Sequence, residues 1–152
     1  MSQHISFIRN KKLTIEKPLK ILLTGISSDS HTWNLVFIQL LIEHYGHSVV
    51  NLGACTPDEL IIENCISEDI DMLVISSVNG HGHIDGRRLI KKIREHKLTC
   101  HLPCFIGGKL GTAGAGNVAY IKELLSEGFD AVYDDSQQGD SFDDFLALLT
   151  SE

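Results

Sequence analysis

Asp29 and His31 stand two residues apart in the run Gly25-Ile26-Ser27-Ser28-Asp29-Ser30-His31-Thr32-Trp33-Asn34. A carboxylate that close to an imidazole can accept one ring N–H and leave the other nitrogen to bind a metal. The competing reading is that Asp29 or Ser30 caps the helix that follows. A second group of polar residues is Ser76-Ser77-Val78-Asn79-Gly80-His81-Gly82-His83. Its hydroxyls could bond a ligand, and its glycines let backbone approach closely. His81 and His83 lack a nearby carboxylate or cysteine, so a partner-facing surface loop suits them better than a second metal site. The third group is Gly107-Gly108-Lys109-Leu110-Gly111-Thr112-Ala113-Gly114-Ala115-Gly116, with five glycines in ten residues. Backbone without side chains at such a place suits a bulky ligand lying against it. The first loop has neither the GxGxxG of a dinucleotide site nor the GxxxxGK[ST] of a P-loop.

These groups need elements to position them. Apolar runs at Leu19–Thr24, His47–Leu52, Met72–Ser76, Pro103–Ile106 and Asp130–Tyr133 are short enough for buried strands. Helical patterns fill the gaps: Thr32–Tyr45, a helix capped by Thr56 with Pro57 at its first position, Asp85–Lys97, Gly116–Glu127 and Asp140–Leu149. Alternating strands and helices call for a parallel sheet covered on both faces. The expectation is a flavodoxin-like (Rossmann-like) three-layer α/β domain with a five-stranded parallel sheet of order 2-1-3-4-5. In such sheets ligands bind beyond the carboxyl ends of the strands, where all three polar groups fall. Residues 1–18 read as a flexible N-terminal tail and 19–150 as the domain. Arg87, Arg88 and Arg94 lie on one helix and read as a solvated face.

Composition narrows the classes. The 152 residues suit one domain, and 43% hydrophobic with 22% charged residues is ordinary for a folded soluble protein. A net charge of -7 argues against a general nucleic-acid binder. No stretch approaches the ~18–20 apolar residues that span a membrane, and the N-terminus lacks a signal core. Cys55, Cys65, Cys100 and Cys104 have no zinc-type spacing. They read as reduced cysteines of a cytoplasmic protein.

Together the three loops resemble the cobalamin-binding family shared by methylmalonyl-CoA mutase, methionine synthase and glutamate mutase. That family's motif is DxHxxG, then SxL, then GG. Here it reads Asp29-Ser30-His31-Thr32-Trp33-Asn34, Ser76-Ser77-Val78 and Gly107-Gly108. The segments SSDSHTWNLVFIQLLIEHYGHSVVNLG and DMLVISSVNGHGHIDG look most like the small subunit of glutamate (methylaspartate) mutase. The resemblance implies that His31 replaces dimethylbenzimidazole as the axial ligand of cobalt and that Asp29 orients it. It implies that the displaced nucleotide tail enters a slot between the sheet and the first helix. Ser76 would bond near its base, and Gly107-Gly108 would leave it room. Ser28, Ser30, Thr32, Asn34, Ser77, Val78, Gly80 and Lys109 complete the expected cofactor-binding set, and no catalytic residue is expected in this chain. Two positions depart from the motif: Asn34 replaces its last glycine and Val78 its leucine. The loop from Asp134 to Asp140 is also acidic where the tail is expected.

The function so implied is the cofactor-binding component of a carbon-skeleton mutase, using adenosylcobalamin or another cobalamin form. It would turn glutamate into 3-methylaspartate with a large catalytic subunit, and would be inactive alone. The chemistry is the cofactor's. A corrinoid methyl carrier and a stand-alone cobalamin-binding or sensor module are the alternatives. The first usually carries a helical cap, and the second needs an output element.

Overall fold

A computed structural model describes residues 7–8, 18–111 and 117–134. The expected helix at 140–149 and the acidic loop from 135 lie outside these residues, as do positions 112–116 of the glycine-rich loop. The strands are β1 (Phe7–Ile8), β2 (Lys20–Thr24), β3 (Ser48–Gly53), β4 (Met72–Ser77), β5 (Cys104–Gly108) and β6 (Ala131–Asp134). They form one sheet in the order β1-β6-β5-β4-β2-β3. The last five in sequence are parallel where they pair, and among themselves their order is 2-1-3-4-5. The sequence pattern did not anticipate β1, which pairs antiparallel with β6, Phe7 opposite Val132. Two residues carry too little periodicity to be read as a strand.

Alternate residues of each strand point to opposite faces of the sheet. Leu22, Leu73, Ile75, Ile106 and Val132 face one side, with Ile61, Leu89, Ile90, Ile93, Ile121 and Leu124 packed on them. These come from α2 (Asp58–Ser67), α3 (Gly82–Glu95) and α4 (Asn117–Glu127). Ile21, Leu23, Met72, Val74, Phe105 and Tyr133 face the other side, where α1 (Trp33–His44) contributes Leu35, Ile38 and Ile42. Burying each such side chain is worth about 1.5–3 kcal/mol. Covering the sheet on both faces leaves its strand ends as the place for polar groups.

Three local expectations need correction. First, α2 begins at Asp58 with Pro57 as its N-cap residue. The Thr56 hydroxyl instead donates to the Gly53 carbonyl at 2.9 Å, tying the loop after β3. Second, α3 begins at Gly82, so His83 is helical. Its ring stacks on Tyr120 with centroids 3.9 Å apart, and its Nε2 lies 2.6 Å from Glu123. His83 therefore packs α3 against α4 and does not lie in a surface loop. Third, the α3 arginines are a solvated face only in part: Arg87 and Arg88 are exposed but ion-paired, and Arg94 is largely covered. Arg94 donates to the carbonyls of Gly128, Cys100 and Leu102 and reaches Asp130 at 2.9 Å. Arg88 pairs with Asp58 and Asp85, while Arg87 pairs with Glu123 and Glu127.

Candidate functional site

The loop after β2 folds back over the end of β4, and Asp29 is the reason. Its side chain is buried, and both carboxylate oxygens are used. Oδ2 accepts the backbone N–H of Val78 at 2.6 Å and of Asn79 at 3.1 Å. Oδ1 accepts the backbone N–H of His31 at 3.1 Å and lies 2.6 Å from its Nδ1. Burial pushes the Asp29 pKa up, but the hydrogen bonds from Val78, His31 and Asn79 outweigh it. They hold the carboxyl below the usual carboxylate range, so it is an anion at neutral pH. This arrangement also decides against the capping reading. Helix α1 starts at Trp33 behind Thr32, with no side-chain cap.

An anionic carboxylate at Nδ1 favours, for a neutral ring, the tautomer with its proton there, the one in which Nε2 carries the lone pair. The His31 side chain is 54% exposed, against 2% for Asp29. The imidazole thus stands at the surface on a buried, fixed base, and its Nε2 has no partner among the described residues. It borders a cleft of ≈ 390 Å³ lined by Ser30, His31, Thr32, Trp33, Asn34 and Val78.

The loop is held from the other side as well. Ser28 Oγ lies 2.5 Å from Asp85 Oδ2, and Asn79 Nδ2 donates to the Ser28 carbonyl and hydroxyl at 3.1 Å. Arg88 then joins Asp85 to Asp58 and to Ser27. Asn34 reaches from the first turn of α1 to the end of β4, where its Nδ2 donates to Ser76 Oγ at 2.7 Å. Ser77 turns the other way, its hydroxyl donating to the Lys109 carbonyl at 2.9 Å while its own carbonyl accepts the Lys109 N–H at 2.7 Å.

The strand-end glycines have separate reasons. Gly80 has φ +86° in the turn before α3. Gly108 has φ +105°, and a Cβ there would collide with the Ser77 carbonyl. Gly107 has room for a Cβ against Tyr133 at 3.4 Å, so close packing does not by itself demand glycine. Gly108→Ala is expected to destabilise the fold by about 1–3 kcal/mol, the cost of an unfavourable backbone region plus the clash. Denaturant unfolding checks this, and a loss under about 0.5 kcal/mol would show that the strand end relaxes freely.

Of the expected residues, Ser28, Asp29, His31, Asn34, Ser76 and Val78 are drawn into one connected group. Ser30 and Thr32 join at the cleft wall. Ser77, Gly108 and Lys109 form the clasp between β4 and β5 behind it. Three residues were missing from the expected set: Trp33, Asn79 and Asp85. Trp33 lines the cleft at 84% exposure. A tryptophan beside the paired Asp and His was the available signal. Asn79 and Asp85 act through backbone and long-range contacts, which spacing does not reveal.

Residues 19–119 match the B12 binding domain family. The chain belongs to that family. Its cofactor is a cobalamin. As a B12 binding domain it is most informatively compared with a glutamate mutase sigma subunit from Fusobacterium nucleatum. The two are 32% identical over 114 residues, covering 75% of this chain and 83% of the relative. A cobalamin-binding protein from Desulfitobacterium hafniense shares the fold, with a TM-score of 0.63 at 20% identity. That match covers 78% of this chain and 54% of the other. A chemotaxis response regulator of Vibrio cholerae also superposes, with a TM-score of 0.59 at 12% identity over 88% of this chain and 99% of that one. The fold alone therefore says nothing of the cofactor. Among the described residues no helix is long and apolar enough to cross a membrane.

The B12 binding domain has a donor set that suits one cobalt ligand. A neutral imidazole with its second nitrogen fixed by a carboxylate is a common metal-binding arrangement. The described residues hold no cluster of three or more potential ligands. A cobalt already held within a corrin would need only one ligand from the protein, and His31 could supply it.

Proposed function

We propose that this chain is the cobalamin-binding subunit of an adenosylcobalamin-dependent carbon-skeleton mutase, converting glutamate to 3-methylaspartate with a separate large catalytic subunit. The observation that carries the reading is the Asp29–His31 pair, 2.6 Å apart at Nδ1, with His31 lining the cleft. The likeness to glutamate mutase sigma subunits over most of both chains supports the choice of substrate. When bound, adenosylcobalamin supplies radical chemistry through its cobalt–carbon bond. The residues of this chain do the rest of what falls to it. His31 ligates cobalt through Nε2, and Asp29 holds the ring in that tautomer. Ser28 and Asn79 hold the loop that carries both.

No arrangement of arginines in the described residues is left to clamp a dicarboxylate substrate. Arg87, Arg88 and Arg94 are each committed to carboxylates of this chain. Substrate recognition is therefore assigned to the large subunit. The test is to co-purify the chain with the products of neighbouring genes, add adenosylcobalamin, and assay glutamate turnover. Turnover is expected only when both subunits are present. Turnover by this chain alone would overturn the division of labour. A reconstituted pair that loads cobalamin and leaves glutamate untouched would overturn the substrate.

A further inference from the structure

We infer that Arg88 and Asp85 are positioning residues for His31: from α3 they fix the loop that carries the imidazole, so that cobalamin affinity depends on them although neither lines the cleft. The inference deepens the function proposed above and rests on His31 as the cobalt ligand. An unbroken run of hydrogen bonds joins the two ends. Arg88 Nη1 donates to Asp85 Oδ1 at 2.8 Å. The other Asp85 oxygen accepts the Ser28 hydroxyl at 2.5 Å. Ser28 Oγ in turn accepts from Asn79 Nδ2 at 3.1 Å, and the Asn79 backbone N–H donates to Asp29 Oδ2 at 3.1 Å. Asp29 Oδ1 then meets His31 Nδ1. A second arm reaches the loop directly, because Arg88 Nη2 donates to Ser27 Oγ at 2.9 Å.

Asp58 and Asp85 are both buried, and a buried carboxylate needs a cation or several donors. Asp58 has two cations, Arg88 and Lys92. Among the described residues, Asp85 makes a salt bridge with Arg88 alone. The guanidinium serves both carboxylates because its donors are fixed in one plane. Nε and Nη2 take the two oxygens of Asp58 at 2.7 and 3.1 Å, while Nη1 takes Asp85. A lysine ammonium is a compact point charge and cannot span Asp58, Asp85 and Ser27 at once. Without the fork, Asp85 must draw its donors from the loop, and the segment that carries Asp29 and His31 shifts with it. A displacement on the order of 1 Å is enough to loosen a ligand's geometry. Arg94 supplies the comparison. It lies on the same helix and is also held by an aspartate, Asp130, and by the carbonyls of Gly128, Cys100 and Leu102. Among the described residues, none of these partners is bonded to the loop after β2.

The experiment compares Arg88→Lys, Asp85→Asn and Arg94→Lys with the unmodified full chain. Each is melted without cofactor, then titrated with aquocobalamin by absorbance at a temperature where it is folded. Arg88→Lys and Asp85→Asn are expected to weaken binding by about fivefold, the equivalent of roughly 1 kcal/mol or one net hydrogen bond. At saturation, part of their bound cobalamin should lack the histidine-coordinated spectrum. Arg94→Lys is expected to melt lower than the unmodified chain while keeping its affinity and spectrum. An Arg88→Lys affinity within about twofold of the original would overturn the inference. So would an equal loss in Arg94→Lys, because affinity would then follow stability alone. Should Arg88→Lys or Asp85→Asn fail to fold, Ser27→Ala removes only the loop end of the second arm. It must then weaken binding while melting as the unmodified chain does, and undiminished binding would overturn the inference. If the unmodified chain loads cobalamin without the histidine-coordinated spectrum, the His31 reading itself falls, and this inference falls with it.

Discussion

Replacing His31 by Ala is expected to abolish the absorbance change that accompanies cobalamin binding. Imidazole coordination in place of benzimidazole alters the cobalt's ligand field, and only a free imidazole nitrogen at the cleft can bring that about. In the function proposed above, Nε2 of His31 is that nitrogen. The other cleft-lining side chains, those of Ser30, Thr32, Trp33, Asn34 and Val78, offer cobalt no comparable donor. The variant should remain folded, because the His31 side chain is 54% exposed. Asp29 would also keep its three backbone donors, from His31, Val78 and Asn79. Losses at such half-exposed positions are usually within about 0.5 kcal/mol, which thermal unfolding without cofactor checks. A folded His31→Ala protein that binds and absorbs as the unmodified chain does would remove His31 as the ligand.

Much of this site was legible before any coordinates. The alternation of short apolar runs with amphipathic helices dictates a parallel sheet, and the strand-end rule places Asp29, Ser76 and Gly108 at one edge. Local pattern ran out where long-range contacts decide. Asp29 as helix cap and Asp29 as partner of His31 share one spacing. What separates them is the Val78 and Asn79 N–H groups, fifty residues away in sequence, that fill its second oxygen. The arginines of α3 read as a solvated face because a row of basic residues on a helix usually is one. Only packing reveals that Arg94 closes the turn at Gly128 and that Arg88 sits between two acidic side chains. His83 was misplaced in a loop for a related reason. The helix starts three residues earlier than its apolar pattern suggests, which turns the ring onto Tyr120. Asn34 is the converse case. Its departure from the family glycine was visible in sequence, but its bond to Ser76 was not.

Asp29→Asn should separate orientation of His31 from support of the fold, and it is expected to weaken cobalamin binding by roughly 10–100-fold, the usual effect of losing a partner behind a metal ligand. The amide is nearly isosteric with the carboxylate. Its oxygen can still accept from the Val78 and Asn79 N–H groups, which the carboxylate now meets at 2.6 and 3.1 Å. Its nitrogen then faces Nδ1 of His31 and can only donate. That reverses the hydrogen bond: Nδ1 becomes the acceptor and the ring proton moves to Nε2, the nitrogen that must bind cobalt. The ties to Val78 and Asn79 are kept, the weaker one from the His31 N–H is lost, and the tautomer is wrong. Asp29→Ala removes the acceptor altogether and strands three backbone N–H groups, those of His31, Val78 and Asn79, at a cost of up to about 1–3 kcal/mol each where water cannot replace the carboxylate. It should therefore lose both stability and affinity. Thermal melts with and without cobalamin, beside absorbance titrations, resolve the two. Asparagine should melt close to the unmodified protein in the absence of cofactor and gain little on its addition, whereas alanine should melt low in both. Should asparagine bind cobalamin as tightly as aspartate does, Asp29 serves only to tie the β2 and β4 loops together, and the tautomer of His31 is set by something else.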